Sequence, residues 1–312
     1  MSRVAYLGPE GTFTHQAALR WSRATGAGGH DLVALPTVTE VSAAVSRGDA
    51  ERGVVAIEST VEGYVVPSLD ALLGSADVVA VDETVLDVTF DAFVRPDRTE
   101  LTEITAHPHG LAQCQEFVRR SGLTPVPAAS NAAACRDAAP HQVALGPTIC
   151  GELYGLETTA RAVEDFHGAR TRFLTLARRD VARALLPGSR SDGARWRTML
   201  AITPKTTGPG VLARIVHAFG TGGVNLSSLI TRPLKAQEGK YVFVLTADAA
   251  PWDTTVRAVL EDLLGAGDWV KTLGVFPARG ELDDALDAMH VPVGSVDDRT
   301  TADLTSGGLL WD

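Results

Sequence analysis

Cysteine is scarce. Cys114, Cys135 and Cys150 are an odd number, with neither close pairing nor metal-ligand spacing. A disulfide framework or a cysteine-built zinc site therefore does not organise this chain, and the three read as buried thiols in a reducing compartment. Long apolar runs are absent too. None approaches the roughly 20 residues that span a bilayer. Only four apolar residues, 4–7, precede Gly8, too few for a secretory signal. No basic cluster stands out, and the formal net charge is -10, which argues against a general nucleic-acid binder. A local basic pocket for an anionic metabolite stays open, because pocket charge and net charge are separate quantities. The expectation from these absences is a cytoplasmic protein that engages neither membrane nor nucleic acid.

What is present is an ordinary α/β composition, 45% apolar, with aperiodic Gly and Pro and enough length for two or three domains. The octet Gly-Pro-Glu-Gly-Thr-Phe-Thr-His at 8–15 follows the apolar run 4–7 and precedes a helical pattern over 14–24. A strand that ends in a Gly-rich turn opening a helix offers backbone N–H groups and a positive dipole end to an anion. Thr12 and Thr14 add hydroxyls. The plainer alternative is a tight turn with a threonine N-cap. Strands at 31–35 and 53–58 flank a helix at 39–47, and 66–73 reads as helical. Short buried strands separated by helices predict a sheet with parallel members.

A second unit begins near Val81. An extended strand over 84–94 is followed by an element at 101–106, a helix at 111–120, and short strands at 124–127 and 142–145 around a helix at 131–138 capped by Ser130. A helix at 147–154 precedes a loop ending in Thr171-Arg172-Phe173 and a strand at 173–177, which is expected to return to the first unit. Two lobes crossed twice by the chain place a cleft between them. Residues 180–195, rich in Arg, Gly and Ser, read as a linker. The succession 197–203, 210–219, 223–231, 240–247, 252–263 and 269–275 then runs βαββαβ, the ferredoxin-like order. Periodicity fades after Phe276, and the acidic, then Thr-, Ser- and Gly-rich stretch reads as a loosely held tail.

Several side chains carry chemistry on their own account. Glu58 ends a strand, and the C-terminal edge of such a sheet is where ligands sit; Ser59 and Thr60 offer hydroxyls at the same edge. The hydroxyl of Ser130, with the first N–H groups of its helix, suits a carboxylate, although a plain N-cap explains it equally well. His107 and His109 flank Pro108. Spacing supplies no third metal ligand, so a structural or pocket-lining imidazole is favoured, and the same holds for His15. Arg172 carries a permanent planar charge suited to a carboxylate, but neighbours in a strand face opposite ways, so Arg172 and Thr171 need not share a ligand. Pairing with Glu58 or Asp165 is the alternative.

Taken together, the segments AYLGPEGTFTHQAA (5–18), IESTVEGYV (57–65), HPHGLAQC (107–114) and VEDFHGARTRFLTL (163–176) resemble, in order, those of the bacterial prephenate dehydratases over about residues 3–276. The resemblance implies a two-lobed, periplasmic-binding-protein-like α/β catalytic region at 1–180. Lobe 1 would span about 1–78 plus 165–180, and lobe 2 about 79–164. After a linker at 181–195 it implies a ferredoxin-like ACT domain at 196–277, leaving 278–312 as the tail. It also implies conversion of prephenate to phenylpyruvate without a cofactor or a metal, in phenylalanine biosynthesis, by a homodimer or homotetramer controlled by phenylalanine. Thr171, Arg172 and Glu58 become the catalytic candidates. Gly11, Thr12, Ser59, Thr60, His107, Ser130, Asn131 and Phe173 become the substrate-binding ones. Effector candidates are Gly210, Val211, Leu212, Asn225, Leu226, Thr231, Arg232 and Pro233.

The chain departs from that pattern. Ser59 and Thr60 stand where Asn and Ser are usual, Ala169 replaces an Asn, Asn131 a Thr, His109 a Gln, and Ile230 a Glu. An altered pocket admits arogenate or a modified prephenate as an alternative substrate, and a non-catalytic ligand-binding regulator as an alternative function.

Overall fold

Val4, Val54 and Val55 are buried although neighbours along a strand face opposite ways, as in a strand covered on both faces. They belong to a computed structural model that describes residues 2–26, 30–189, 194–234, 239–279 and 295–296. Most of the expected tail, 278–312, lies outside the described residues. The first lobe comprises β1 (Arg3–Leu7), α1 (Phe13–Ala24), β2 (Asp31–Leu35), α2 (Val38–Arg47), β3 (Arg52–Ser59), the short β4 (Gly63–Tyr64), α3 (Val66–Gly74) and β5 (Val78–Asp87). Local chemistry sets the helix starts. The Thr12 hydroxyl accepts from the His15 N–H, and the Thr37 hydroxyl accepts from the Glu40 N–H while donating to the Glu40 carboxylate, in a helix that ends on the left-handed Gly48. Helix α1 covers one sheet face over Val4, Tyr6, Val54 and Phe173. On the other face α2 and α3 bury Val41, Val45, Leu69 and Leu72 against Val55, Ile57 and Leu174.

The second lobe holds β6 (Asp91–Val94), β7 (Glu103–Ala106), α4 (Pro108–Gln113), α5 (Gln115–Ser121), β8 (Thr124–Pro127), α6 (Asn131–Arg136), β9 (Gln142–Gly146), α7 (Ile149–Tyr154) and β10 (Glu157–Ala160). Its own five-stranded sheet runs β10-β6-β9-β7-β8 over a core of Phe90, Val94, Ile104 and Leu145. The chain returns as β11 (Arg170–Arg178), which lies antiparallel between β3 and β5. The two crossings run side by side. Val88 N–H donates to Ala169 O at 2.7 Å, and Val163 N–H to Phe90 O at 2.8 Å.

Two sequence expectations change. The single strand over 84–94 is broken at residues 88–90, and its halves belong to different sheets, so β5 is part of lobe 1 and the lobe boundary moves from about 79 to about 88. Alternation alone does not register the break, because Val88 and Phe90 stay buried through it. Within the expected linker, α8 (Arg179–Ser189) is helical, seated by Leu186 on the cluster of Trp196, Ala250 and Val275.

The C-terminal unit is β12 (Trp196–Thr203), α9 (Val211–Thr221), β13 (Leu226–Pro233), β14 (Tyr241–Ala247), α10 (Thr254–Gly265) and β15 (Trp269–Pro277), with strands ordered β13-β14-β12-β15. Its helices bury Ile215, Phe219, Val256 and Leu263 on Leu200, Ile202 and Leu245. Much of its other face is covered by lobe 1. Met199, Ala201, Val244 and Leu273 join the core beneath α2 and α3. β15 also pairs with β5 at Gly274 and Ala80, so one ten-stranded sheet runs from β2 to β13.

Candidate active site

Between the lobes lies a cavity of about 700 Å³ whose lining draws on the starts of four helices: Thr12, Phe13 and Thr14 of α1, Val65 to Pro67 of α3, His107, His109 and Gly110 of α4, and Ser130 to Ala132 of α6. Thr171 and Phe173 of β11, Ser59 at the end of β3, and Phe90 complete its centre. No lysine or arginine is among the lining residues. The first N–H groups of a helix have no intrahelical acceptor, and their dipole ends are positive. An anion in this cavity is therefore met by backbone donors and hydroxyls rather than by cationic side chains.

The hydroxyls differ in what they have left to give. Thr12 Oγ1 accepts from His15 N–H and donates back into its own turn, to Pro9 O at 3.0 Å, so its proton is committed. Ser130 Oγ accepts from Ala133 N–H at 2.9 Å, and Ser59 Oγ accepts from Val61 N–H at 3.2 Å; both keep a proton to donate. Thr171 faces the cavity from an extended strand. Asn131 Oδ1 accepts from His107 N–H at 2.9 Å, locking α6 to the start of α4 and leaving its NH2 group for a ligand. His107 Nδ1 accepts from His109 N–H at 3.2 Å, so the neutral ring carries its proton on Nε2. Burial, assisted by His109, pushes the His107 pKa below its ordinary 6.5.

Other expected site residues lie elsewhere. Arg172 projects from the opposite side of β11 to Thr171, as strand alternation requires. Its Nη1 donates to Glu58 Oε2 at 3.0 Å, and its Nε is 3.3 Å from Glu83 Oε2. Neither Arg172 nor Glu58 lines the cavity. Asp165, the other partner considered for Arg172, instead accepts from Glu116 N–H at 3.0 Å. Thr60 Oγ1 accepts from Arg170 N–H at 2.9 Å, splicing the β3 end to β11, and is not part of the lining. Gly11 has φ +85° and packs on α7, where a Cβ would come within 3.0 Å of the Tyr154 hydroxyl and 3.2 Å of Cys150 Sγ. It shapes the turn and joins the lobes without lining the cleft. His15 is structural, with Nδ1 accepting from Gly11 N–H at 3.1 Å, and burial pushes its pKa down.

Sequence reasoning missed the apolar wall of Phe13, Val88 and Phe90, because an aromatic at a turn carries no signal of which way it faces. It also missed Glu62, which reaches across the mouth to His109 Nδ1 at 3.3 Å and accepts from Gln113 Nε2 at 3.2 Å. Among the described residues, no three of His, Cys, Asp or Glu converge as a metal site. No helix there is long and apolar enough to cross a membrane.

The eight effector candidates do not meet within one chain. Asn225 and Leu226 stand at one end of β13, and Thr231 to Pro233 at the other. Arg232 turns to the face away from α9 and grips Asp70 of α3, with bonds of 2.9 and 3.0 Å from Nη2.

Residues 4–181 match the family model described as prephenate dehydratase. A prephenate dehydratase of Amycolatopsis methanolica is 35% identical over 306 residues, 97% of this chain and 96% of its own length. A solved prephenate dehydratase from Arthrobacter aurescens, in complex with L-Phe, is 30% identical with a TM-score of 0.76, the alignment covering 88% of this chain and 89% of that one. A solved protein described as a novel type of quorum quenching acylase also has a TM-score of 0.76, at 27% identity, covering 88% of this chain and 98% of that one. With the match running through the whole two-lobed region and its relatives aligned nearly end to end, this chain belongs to the prephenate dehydratase family.

Proposed function

We propose that the chain converts prephenate to phenylpyruvate in the interlobe cleft. The observation that carries this reading is the convergence of four helix starts and four hydroxyl or amide donors, on Ser59, Ser130, Asn131 and Thr171, on one largely apolar cavity without lysine or arginine in its lining. Prephenate is a dianion with a ring carboxylate, a keto-acid side chain and a ring hydroxyl. In the reaction the bond from the ring to its carboxylate breaks, and its electrons complete the aromatic ring as the carbon–oxygen bond to the hydroxyl breaks. Carbon dioxide departs, and the leaving hydroxide takes one proton to become water. Aromatisation drives the step, so the site has two tasks: to hold both carboxylates in a fixed pose and to stabilise charge on the departing oxygen. The Thr171 hydroxyl donates to that oxygen. Ser130, Asn131 and the starts of α1 and α6 hold the carboxylates, while Phe13, Phe90 and Phe173 face the ring. Arg172 and Glu58 act from behind the strand as positioning residues.

Phenylalanine is the proposed effector, a reading supported by the L-Phe complex of the Arthrobacter relative. β13 is the edge of the sheet, with its candidates split between its two ends. Antiparallel pairing with a second copy along this edge would bring Asn225 of one copy beside Pro233 of the other, which favours a homodimer or homotetramer; the proposed location is the cytoplasm. The test is to offer the purified chain prephenate and arogenate separately and to follow products by ultraviolet absorbance and mass spectrometry. Phenylpyruvate from prephenate, inhibited by phenylalanine, is expected. No product from prephenate overturns the reading, and turnover of arogenate alone reassigns the substrate.

A further inference from the structure

The wall of the cleft built by residues 62–67 has little sheet behind it. β4 is two residues long, pairs with β3 through Tyr64 to Glu58 and Gly63 to Ser59, and lies off the path of the main sheet. Val65 N–H adds one bond, to Ile57 O at 2.9 Å, and Val65 offers α3 no capping side chain. A two-stranded pairing of this length is marginal by itself. Yet this hairpin carries Ser59, a donor of the cleft, at one foot, and Glu62 to Pro67 line the cavity from the other. Part of its support comes from outside lobe 1, since Glu62 is held across the mouth by His109 and Gln113 of α4.

A second support comes from the C-terminal unit. Along β13, Ser228, Ile230 and Arg232 are half-buried and alternate with exposed Leu229, Thr231 and Pro233, so one face of this edge strand is turned to lobe 1. Arg232 reaches Asp70 of α3, and Ile230 packs on the core beneath α2 and α3. Ser228 meets the hairpin. The Tyr64 hydroxyl donates to Ser228 Oγ at 2.5 Å, a contact between residues 164 positions apart in the chain. Thr246 of β14, paired with Ser228 in the sheet, faces the same hydroxyl. Burial, with Glu58 adjacent, pushes the Tyr64 pKa above its ordinary 10.0, so the phenol keeps the proton it donates.

We propose that Tyr64 and Ser228 are positioning residues for turnover in the cleft: their hydrogen bond fixes the β3–β4 hairpin against β13 and so sets where Ser59, Glu62 and the start of α3 stand around the ligand. The C-terminal unit is in this sense part of the frame of the cleft. Without the anchor the hairpin pivots on its two-residue pairing, and the wall occupies its competent position only part of the time. Apparent affinity falls by that fraction, so KM rises. The chemical step, carried by Thr171 on a strand paired along both sides, is kept. The effect on KM rests on the cleft being the site of prephenate turnover; the anchoring of the hairpin does not.

The full chain and its variants are read in two ways: by steady-state kinetics on prephenate, and by deuterium exchange of the backbone amides of residues 57–66 followed by mass spectrometry. Tyr64→Phe and Ser228→Ala are each expected to raise KM severalfold, at most about tenfold, the effect of one hydrogen bond, with kcat little changed. Both should speed exchange at 57–66. The double variant should go no further than the worse of the two singles, because both remove the same bond. Ser228→Thr keeps a hydroxyl and should stay near the unsubstituted chain. Val256→Ala opens a cavity in the core that the C-terminal helices cover, so it should lower the urea midpoint and leave both KM and this exchange unchanged. Loss of stability alone therefore does not imitate the effect. The proposal is overturned if either readout is unchanged in Tyr64→Phe, if the two substitutions add, or if kcat falls with KM intact, which would put the Tyr64 hydroxyl at the reacting atoms. An unsubstituted chain that does not turn over prephenate, while both single variants speed exchange at 57–66, rejects the catalytic reading and leaves the anchor standing.

Discussion

Thr171 and Arg172 are neighbours in β11 and serve opposite sides of the sheet. A hydroxyl that donates only to a departing oxygen acts in the transition state more than in the ground state. Thr171→Val keeps the shape and removes the donor, so kcat should fall about a hundredfold to a thousandfold, the range for losing one oriented donor, with KM little changed. Steady-state kinetics on prephenate check this, and an equal rise in KM with kcat intact would reject the role. His107 makes a different kind of statement. Its folded pKa lies below its ordinary 6.5, so the folded protein binds this proton less readily than the unfolded chain. Stability is then fully present above the unfolded pKa and is lost as pH falls through it toward the folded value. The urea midpoint should drop between about pH 7 and pH 5, and drop less in His107→Asn, which has no ring to titrate. Equal drops in the two proteins would assign the effect elsewhere, with buried His15 the next residue to test.

At the scale of elements, the cleft depends on how closely α4 and α6 approach. A Cβ on Gly110 would fall 2.3 Å from Asn131 Oδ1, the atom that accepts from His107 N–H. Gly110→Ala should therefore displace Asn131, raise KM for prephenate and lower stability by about 1–3 kcal/mol, the cost of overpacking. In an Asn131→Ala background the obstruction is gone and the same substitution should cost little. A double-mutant cycle by urea denaturation and KM measures this, and additive effects would contradict the contact. This juxtaposition is one that the chain alone does not reveal, because residues 110 and 131 meet only after β7 and β9 pair. The turn at 8–15 was legible because its glycines and threonines carry their own geometry, whereas the Thr171-Arg172-Phe173 segment was marked out by its resemblance to the family's. Arg172 was legible to the extent that strand alternation allowed it to face away from Thr171. The helix α8 was not, because Arg, Gly and Ser resemble a linker until Leu186 finds the cluster of Trp196, Ala250 and Val275. Nor was the break at 88–90, where burial persists while the chain changes sheets.

At the scale of the whole molecule, lobe 1 and the C-terminal unit share a sheet and a buried row of charges. Glu83 of β5 is fully enclosed between Arg172 of β11, at 3.3 Å, and Arg197 of β12, at 2.6 Å; Arg197 also lies 3.3 Å from Asp248, which in turn accepts from Asn225 Nδ2 at 2.6 Å. Charges taken out of water are costly, and removing one partner costs more than removing the pair. Glu83→Gln leaves two arginines facing each other across a dry gap and should destabilise by about 3–5 kcal/mol, whereas Arg197→Met combined with Glu83→Gln should recover part of that loss. Since β5 and β12 lie in different units, the loss should appear as a shift of one cooperative unfolding transition, with the near-ultraviolet signal of Trp196 in the C-terminal unit and prephenate turnover in the cleft disappearing together. Two separated transitions in the native chain would show that the units fold independently. In that event the shared sheet would not transmit strain, and excising the C-terminal unit would leave the cleft intact. If instead one transition is seen, such excision uncovers the β5 edge and the core beneath α3, and turnover should fall with it.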